Sequence, residues 1–554
     1  MIGILRRAAL AACLALAAQS VAAKPASPAM SKPETRGPIV VAPAGAYMGS
    51  ADGDVRVFKG IPYAAPPVGP LRWKPPQPLP PAKTGLKVTE FGPACMQPIA
   101  RMNNIYAQDL GSQSEDCLSL NVWTPQGAKD APVLVWIHGG ALVAGSSKEA
   151  LYDGAAMARR GVIVVSINYR LGVFGYLAHP ELSAESPDGI SGNYGLMDQI
   201  AALRWIRANI GAFGGDPARM TIAGESAGAL SVMYLMASPE ARGLFSGAIA
   251  QSAYMISTPE LKRKAVGESS AEEAGLRLAR TLQKPNIGLM RAMDARALAD
   301  VAPAAGFSPF ANVDGKYLTR QLVETFDRGE QARVPLMAGF NSGEIRSLTV
   351  LLPPAPGSPE AYERAIRERY GDLADAYLAL YPSSDVREGM LANTRDALYG
   401  WTAERLARKQ TALGQAAFLY LFDHGYPATD EARLHAFHAS ELPYVFGTLE
   451  RTPPLWPKIP PTSGERALSD AMLDYWTSFA RDGRPSAAAA PAWPAYGTEA
   501  RYMHFAETPR AAEKLLPGMY ALHEEAVCRR RAAGLAWNWN TGIASPELKP
   551  ATCG

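Results

Sequence analysis

"MTIAGESAGALSVM" occupies residues 220–233, where two apolar runs enclose a knot of small residues. At its centre Gly224-Glu225-Ser226-Ala227-Gly228 fits the pattern Gly-x-Ser-x-Gly. A chain with 50 glycines in 554 residues should carry roughly 0.3 such matches by accident, so the neighbours of the pentapeptide decide its meaning. "RMTIAGES" reads as a buried strand and "AGALSVMYLM" as a helix. A serine at that junction lies on a sharp turn that strains its backbone and lifts its hydroxyl above the sheet edge. Side chains at positions 224 and 228 would collide with the neighbouring strand and helix, which accounts for both glycines. The helix also directs its positive end at the serine, where it favours developing negative charge. The stretch therefore reads as a nucleophile elbow.

Working outward, "VLVWIHGG" (133–140) and "VIVVSINY" (162–169) are continuous apolar runs of strand length, the pattern of strands buried on both faces. "GLMDQIAALRWIRANI" (195–210) places Leu196, Ile200, Leu203, Ile206 and Ile210 at helical spacing. "FSGAIAQS" (245–252), "VPLMAGF" (334–340) and "AAFLYLF" (416–422) continue the strand series, and "SDAMLDYWTSFA" (469–480) predicts a helix capped by Ser469. This alternation implies an α/β fold with a central, mostly parallel sheet flanked by helices. The early runs "PIVVAP", "AYMGSADG" and "VRVFKGIPYA" look like antiparallel additions at one edge. Residues 256–305 and 355–412 are charged and helical, and are expected as insertions over the sheet; "PSAAAAPAWPAYG" (485–497) is a surface loop.

A serine hydroxyl needs a base, and an elbow of this kind orders its partners serine, acid, histidine. Of seven histidines, His424, His435, His438, His504 and His523 follow Ser226. His438, in the loop "HAFHASELPYVFG", is placed to reach back over the sheet, with His435 its nearest competitor. The acid should follow a strand between them. "VPLMAGFNSGE" supplies a strand, a small polar turn and Glu344, which would hold the imidazole tautomer. Asp314 in "NVDG" is the alternative, although a turn aspartate explains it adequately. "WIHGGAL" ends a strand on two glycines, so Gly140 and Ala141, with Ala227 after the nucleophile, are the candidate oxyanion donors.

The net charge of +3 is nearly balanced for this length, and no basic run exceeds the three arginines at 529–531, read as a solvated helix face. No nucleic-acid partner is expected. "MIGILRRAALAACLALAAQSVAA" pairs Arg6 and Arg7 with a short apolar stretch and a small-residue end, the pattern of a secretory leader (residues 1–23) cleaved near Ala23. Too few apolar residues precede Cys13 for a lipidation site, and no segment approaches a membrane span. Export, to the periplasm or beyond, is therefore expected. Removal of Cys13 leaves Cys95, Cys117, Cys528 and Cys553, an even number that suggests disulfides; proximity favours Cys95–Cys117 and Cys528–Cys553. No Cys-x-x-Cys or histidine pair accompanies them, so no metal is expected. Residues 24–554 are read as a single catalytic domain with a C-terminal tail, 526–554.

"GESAGA", "HGGAL", "SEDCLSLNVW", "NYGLMDQIAALRWIRANIGAFGGDP" and "FHASELPYVFG" resemble the type-B carboxylesterase family, which includes the cholinesterases, from about residue 38 to 525. The resemblance implies an α/β-hydrolase fold and hydrolysis of small-molecule esters without metal or organic cofactor. It implies a Ser226-Glu344-His438 triad, an oxyanion loop at Gly140 and Ala141, and a first disulfide at Cys95–Cys117. Departures narrow it. Tyr106 is the one aromatic residue between Cys95 and Cys117, where cholinesterases carry a cation-binding tryptophan, so choline esters are not expected. Ala141 replaces the commoner third glycine. In "AAGFSPFANVDG" Phe307 matches a bulky acyl-pocket position, and Ala305 is small where relatives are bulky. The tail "CRRRAAGLAWNWNTGIASPELKPATCG" (528–554) matches no family element. A lipase with the helical insertions as a lid is the alternative activity. A non-catalytic binding protein on the same fold is a more distant one, since such relatives lose the serine.

Overall fold

The structure is a computed structural model that describes residues 37–99 and 104–553. The expected leader, its cleavage point and Cys13 lie outside the described residues. Residues Pro38–Gly554 form one compact unit, built on an 11-stranded sheet. In chain order its strands are β1 (Ser50–Asp52), β2 (Val55–Pro62), β3 (Ser119–Pro125), β4 (Ala131–Ile137), β5 (Ile163–Ile167), β6 (Gly215–Glu225), β7 (Gly247–Gln251), β8 (Leu336–Asn341), β9 (Ala417–Phe422), β10 (Arg501–Phe505) and β11 (Pro509–Glu513). Their spatial order is β11-β10-β9-β8-β7-β6-β4-β5-β3-β2-β1. From β5 across to β10 neighbours run parallel, whereas β1, β2, β3 and β11 add antiparallel edges.

The central strands are largely apolar because both faces are covered. Every residue of β4, β5, β7, β8 and β9 is buried. On the helical side α1 (Tyr194–Asn209) and α2 (Ala227–Ala237) pack with Val133, Val135 and Ile222 in one core; Leu134, Trp136 and Ile249 face a second. The α3 helix (Trp401–Ala412) lies against the first core, and α4 (Ser463–Asp482) against the second.

Three expectations change. Of the early runs expected at the sheet edge, Ile39–Ala42 and Gly45–Met48 pair instead with Leu86–Lys87 in a separate three-stranded sheet. The helix expected to start at Ser469 begins earlier, because the Thr462 hydroxyl accepts from the Glu465 N–H at 3.3 Å and caps it there. Ser469 is instead a buried mid-helix residue whose hydroxyl donates to the Tyr444 carbonyl at 3.0 Å. The arginine triplet is not a solvated face either. It closes α5 (Met519–Ala532), where Arg529 pairs with Asp372, Arg531 pairs with Asp327, and Arg530 is only 3% exposed.

The order of strands creates the site. The β4 strand lies between β5 and β6, where the winding of the sheet reverses, and ligands of open α/β sheets bind outside the carboxyl ends of strands at such a point. The loops leaving β4 and β6 carry the two glycine-rich motifs.

Candidate active site

The elbow is as tight as its sequence requires. Ser226 has φ 55° and ψ −121°, a conformation L-residues avoid unless the surroundings impose it. The glycine after it is obligatory, since a Cβ on Gly228 would lie 2.1 Å from the Ile137 carbonyl oxygen. Crossing of α2 over the end of β4 thus requires a bare backbone at that position. Ser226 is half-buried and faces a cavity of about 440 Å³.

His438 lines the same cavity. Its Nδ1–H donates to Glu344 Oε2, and Glu344 is fully buried (0% exposed). The other oxygen of Glu344 accepts from the Ser252 hydroxyl at 2.6 Å and from the Asn341 N–H at 2.8 Å, which fixes the carboxylate. With Nδ1 as donor, Nε2 is the nitrogen left to exchange a proton. It lies 3.1 Å from Glu225 Oε1, and no hydrogen bond joins it to Ser226 among the described residues. Such contacts commonly form only once substrate fills a site. Burial works against a charged His438, but the carboxylates of Glu225 and Glu344 outweigh it and raise the imidazole above its ordinary value. Glu225, 3% exposed, is itself raised, chiefly by burial and against the pull of His438.

The loop after β4 turns through Gly140 (φ 98°) and Ala141 (φ 56°), both on the cavity wall. No protein group accepts from either N–H among the described residues. Ala227 opens α2, where the first N–H groups have no intrahelical acceptor. Gln97 braces this loop: its carboxamide donates to the Gly145 carbonyl and accepts from the Gly145 N–H, both at 2.9 Å. Gln97 in turn belongs to the loop closed by the Cys95–Cys117 disulfide. From that loop Tyr106 also reaches His438, donating to its carbonyl at 2.9 Å.

The other candidates lie elsewhere. Asp314 accepts from Asn193 and from three backbone N–H groups of its own turn, as a turn aspartate should. His435 and His504 both contact Asp423, His424 contacts Glu465, and His523 contacts Tyr381. Phe307 does not line the cavity. Its N–H closes a helix end by donating to Ala302, and its ring lines a small void with Val143, Phe174 and Pro303. Phe310, three residues on, takes the wall position. Tyr399, Tyr254, Trp456 and Trp539 also line the cavity and carried no signal in the sequence reading. Tyr399 belongs to a π-helical turn, Asp396–Gly400, a feature concentrated at functional sites.

An elbow serine, a carboxylate-held imidazole and a glycine turn at one sheet edge define an α/β-hydrolase. A model of the carboxylesterase family matches residues 38–522, and the chain belongs to that family. It is similar to the fumonisin B1 esterase of Sphingopyxis macrogoltabida, at 36% identity over 84% of this chain and 86% of that one. The para-nitrobenzyl esterase of Bacillus subtilis is also 36% identical, over 84% and 93%, and the human cocaine esterase 32%, over 85% and 87%. A solved PNB esterase structure superposes with a TM-score of 0.75 at 32% identity, covering 87% of this chain and 99% of that one. The protein is a carboxylic ester hydrolase. The lipase alternative gains no support from these relatives. Among the described residues no helix is long and apolar enough to cross a membrane.

Proposed function

We propose that the protein is an exported serine esterase working through an acyl-enzyme, with Ser226 as nucleophile, His438 as base and Glu344 as the group that orients it. Ser226 Oγ attacks the ester carbonyl carbon while His438 Nε2 takes its proton. The carbonyl oxygen becomes an oxyanion held by the N–H groups of Gly140, Ala141 and Ala227, each such donor being worth about 10²–10³ in turnover. Collapse expels the alcohol, which leaves with the proton from Nε2. Water then repeats the sequence, its proton passing through Nε2 back to the serine oxygen as the acid departs. The observation that supports this reading best is the single cavity shared by a strained Ser226 and a His438 bonded to buried Glu344.

Leu110, Leu348, Val350, Leu351 and Trp456 on the wall favour uncharged esters with apolar groups, aryl and benzyl esters among them. The two disulfides, Cys95–Cys117 and Cys528–Cys553, agree with an oxidising compartment reached after cleavage near Ala23. The mass of the mature N-terminus after periplasmic extraction tests that point. The chemical test is p-nitrophenyl ester hydrolysis by Ser226→Ala, with turnover expected to fall roughly 10⁶-fold. Retention of a tenth of wild-type activity by a folded variant overturns the assignment.

A further inference from the structure

The family match ends at residue 522, yet the chain beyond it returns to the active site. After α5 the tail runs along the first core and places Trp539 on the cavity wall with Ser226 and His438. The Trp539 ring packs on Tyr254 at 5.4 Å between centroids, Tyr254 meets Tyr399 edge-on at 6.0 Å, and Tyr399 lies 5.4 Å from the His438 ring. An unbroken line of aromatic contacts thus joins the tail to the proposed base.

The tail is fastened along its length. The Trp537 carbonyl accepts from the Ser257 N–H at 2.9 Å, and the Trp537 ring is buried in the main core. Asn538 donates to Glu268 at 3.0 Å. Buried Arg530 donates to the Asn540 carbonyl at 2.7 Å and to the Ser545 hydroxyl at 2.8 Å, and the Gly542 N–H donates to the Tyr370 hydroxyl at 3.0 Å. Cys528–Cys553 closes the loop. The two tryptophans divide the labour. Trp537 anchors the tail in the core, whereas Trp539, two residues on, is half-buried and turns to the cavity.

Resting on the esterase reading of this cavity, we propose that Trp539 is a specificity-determining residue, a wall that the disulfide-closed tail adds to the site to restrict it to compact esters. A tryptophan is the largest side chain available for occluding space, and its two torsions cost little entropy to hold. Arg530 and the disulfide act as positioning elements that keep the indole at its depth. A tail serving stability alone would have no reason to spend a second tryptophan on a half-exposed wall.

The test is the ratio of kcat/KM for p-nitrophenyl octanoate over p-nitrophenyl acetate, measured in Trp539→Ala, Trp539→Phe and the Cys528→Ser/Cys553→Ser double variant. The ratio is expected to rise about tenfold or more in Trp539→Ala, the scale of a few methylenes of fit. Trp539→Phe should fall between it and wild type, and the double variant should move the same way by a smaller factor. Loss of folding alone lowers both constants together and leaves the ratio in place. A ratio unchanged in both tryptophan variants overturns the proposal; if Trp539→Ala does not fold, Trp539→Phe decides. Activity surviving Ser226→Ala would instead refute the esterase site itself, so the two failures are distinguishable.

Discussion

At the scale of single residues, histidines of the same short loop have opposite duties. His438 faces the cavity and is tied to Glu344, while His435 is half-exposed and bound to Asp423 and Asp430. His438→Ala should lose nearly as much turnover as Ser226→Ala, because nucleophile and base fail as one unit. His435→Ala should retain most activity, and reversed results would move the base. Glu225 offers a sharper test. A general base works as the neutral imidazole, so kcat/KM rises with pH through the His438 pKa. The Glu225 charge is the first of the influences that hold that pKa up. Glu225→Gln should therefore shift the acidic limb of the kcat/KM profile to lower pH, and an unmoved limb would mean that Glu225 is uncharged while His438 titrates. The grouping of Ser226, Glu344 and His438 was legible because each follows a strand whose apolar run is unmistakable. Phe310 was not: choosing between Phe307 and Phe310 depends on how the chain leaves the helix ending at Ala304, and Gly306 (φ 79°) turns it there.

At the scale of elements, the buried strands could be read from sequence since burial on both faces imposes an apolar run with no alternation. The π-helical turn at Asp396–Gly400 could not, because it arises from accommodating one extra residue between two helices and leaves the composition ordinary. The brace between the disulfide loop and the turn at Gly140 and Ala141, the proposed oxyanion donors, was equally silent. Gln97 is a common residue in an irregular stretch, and only the fold shows that its carboxamide closes two hydrogen bonds on Gly145. Gln97→Ala should free that turn and lower kcat about 10–100-fold, the cost of misplacing catalytic groups by about an ångström. KM should change much less, since the donors act on the charge that develops in the transition state. A raised KM with kcat unchanged would assign Gln97 to substrate binding instead.

At the scale of the whole molecule, one network ties the far half of the sheet to the loop carrying His438, the proposed base. Asp423, directly after β9, accepts from His504 of β10 at 2.9 Å and from His435 of the base loop at 3.1 Å. Burial works to raise its carboxyl, but the hydrogen bonds from His435 and His504 outweigh it and hold it far below the usual range. His435 is raised, first by Asp423 and against burial. A depressed carboxylate contributes stability above its unfolded pKa of about 4 and loses it as pH falls. A raised histidine contributes below its unfolded value of about 6.5 and loses it as pH climbs through the folded pKa. Both contributions are complete only between these limits. Asp423→Asn should therefore lower Tm most between about pH 4 and 6.5, with the gap to wild type narrowing on either side. A gap of constant size across pH 3–9 would show that Asp423 serves as a neutral hydrogen-bond acceptor. The gap expected instead would couple the order of the base loop to proton binding at a carboxylate outside the catalytic cavity.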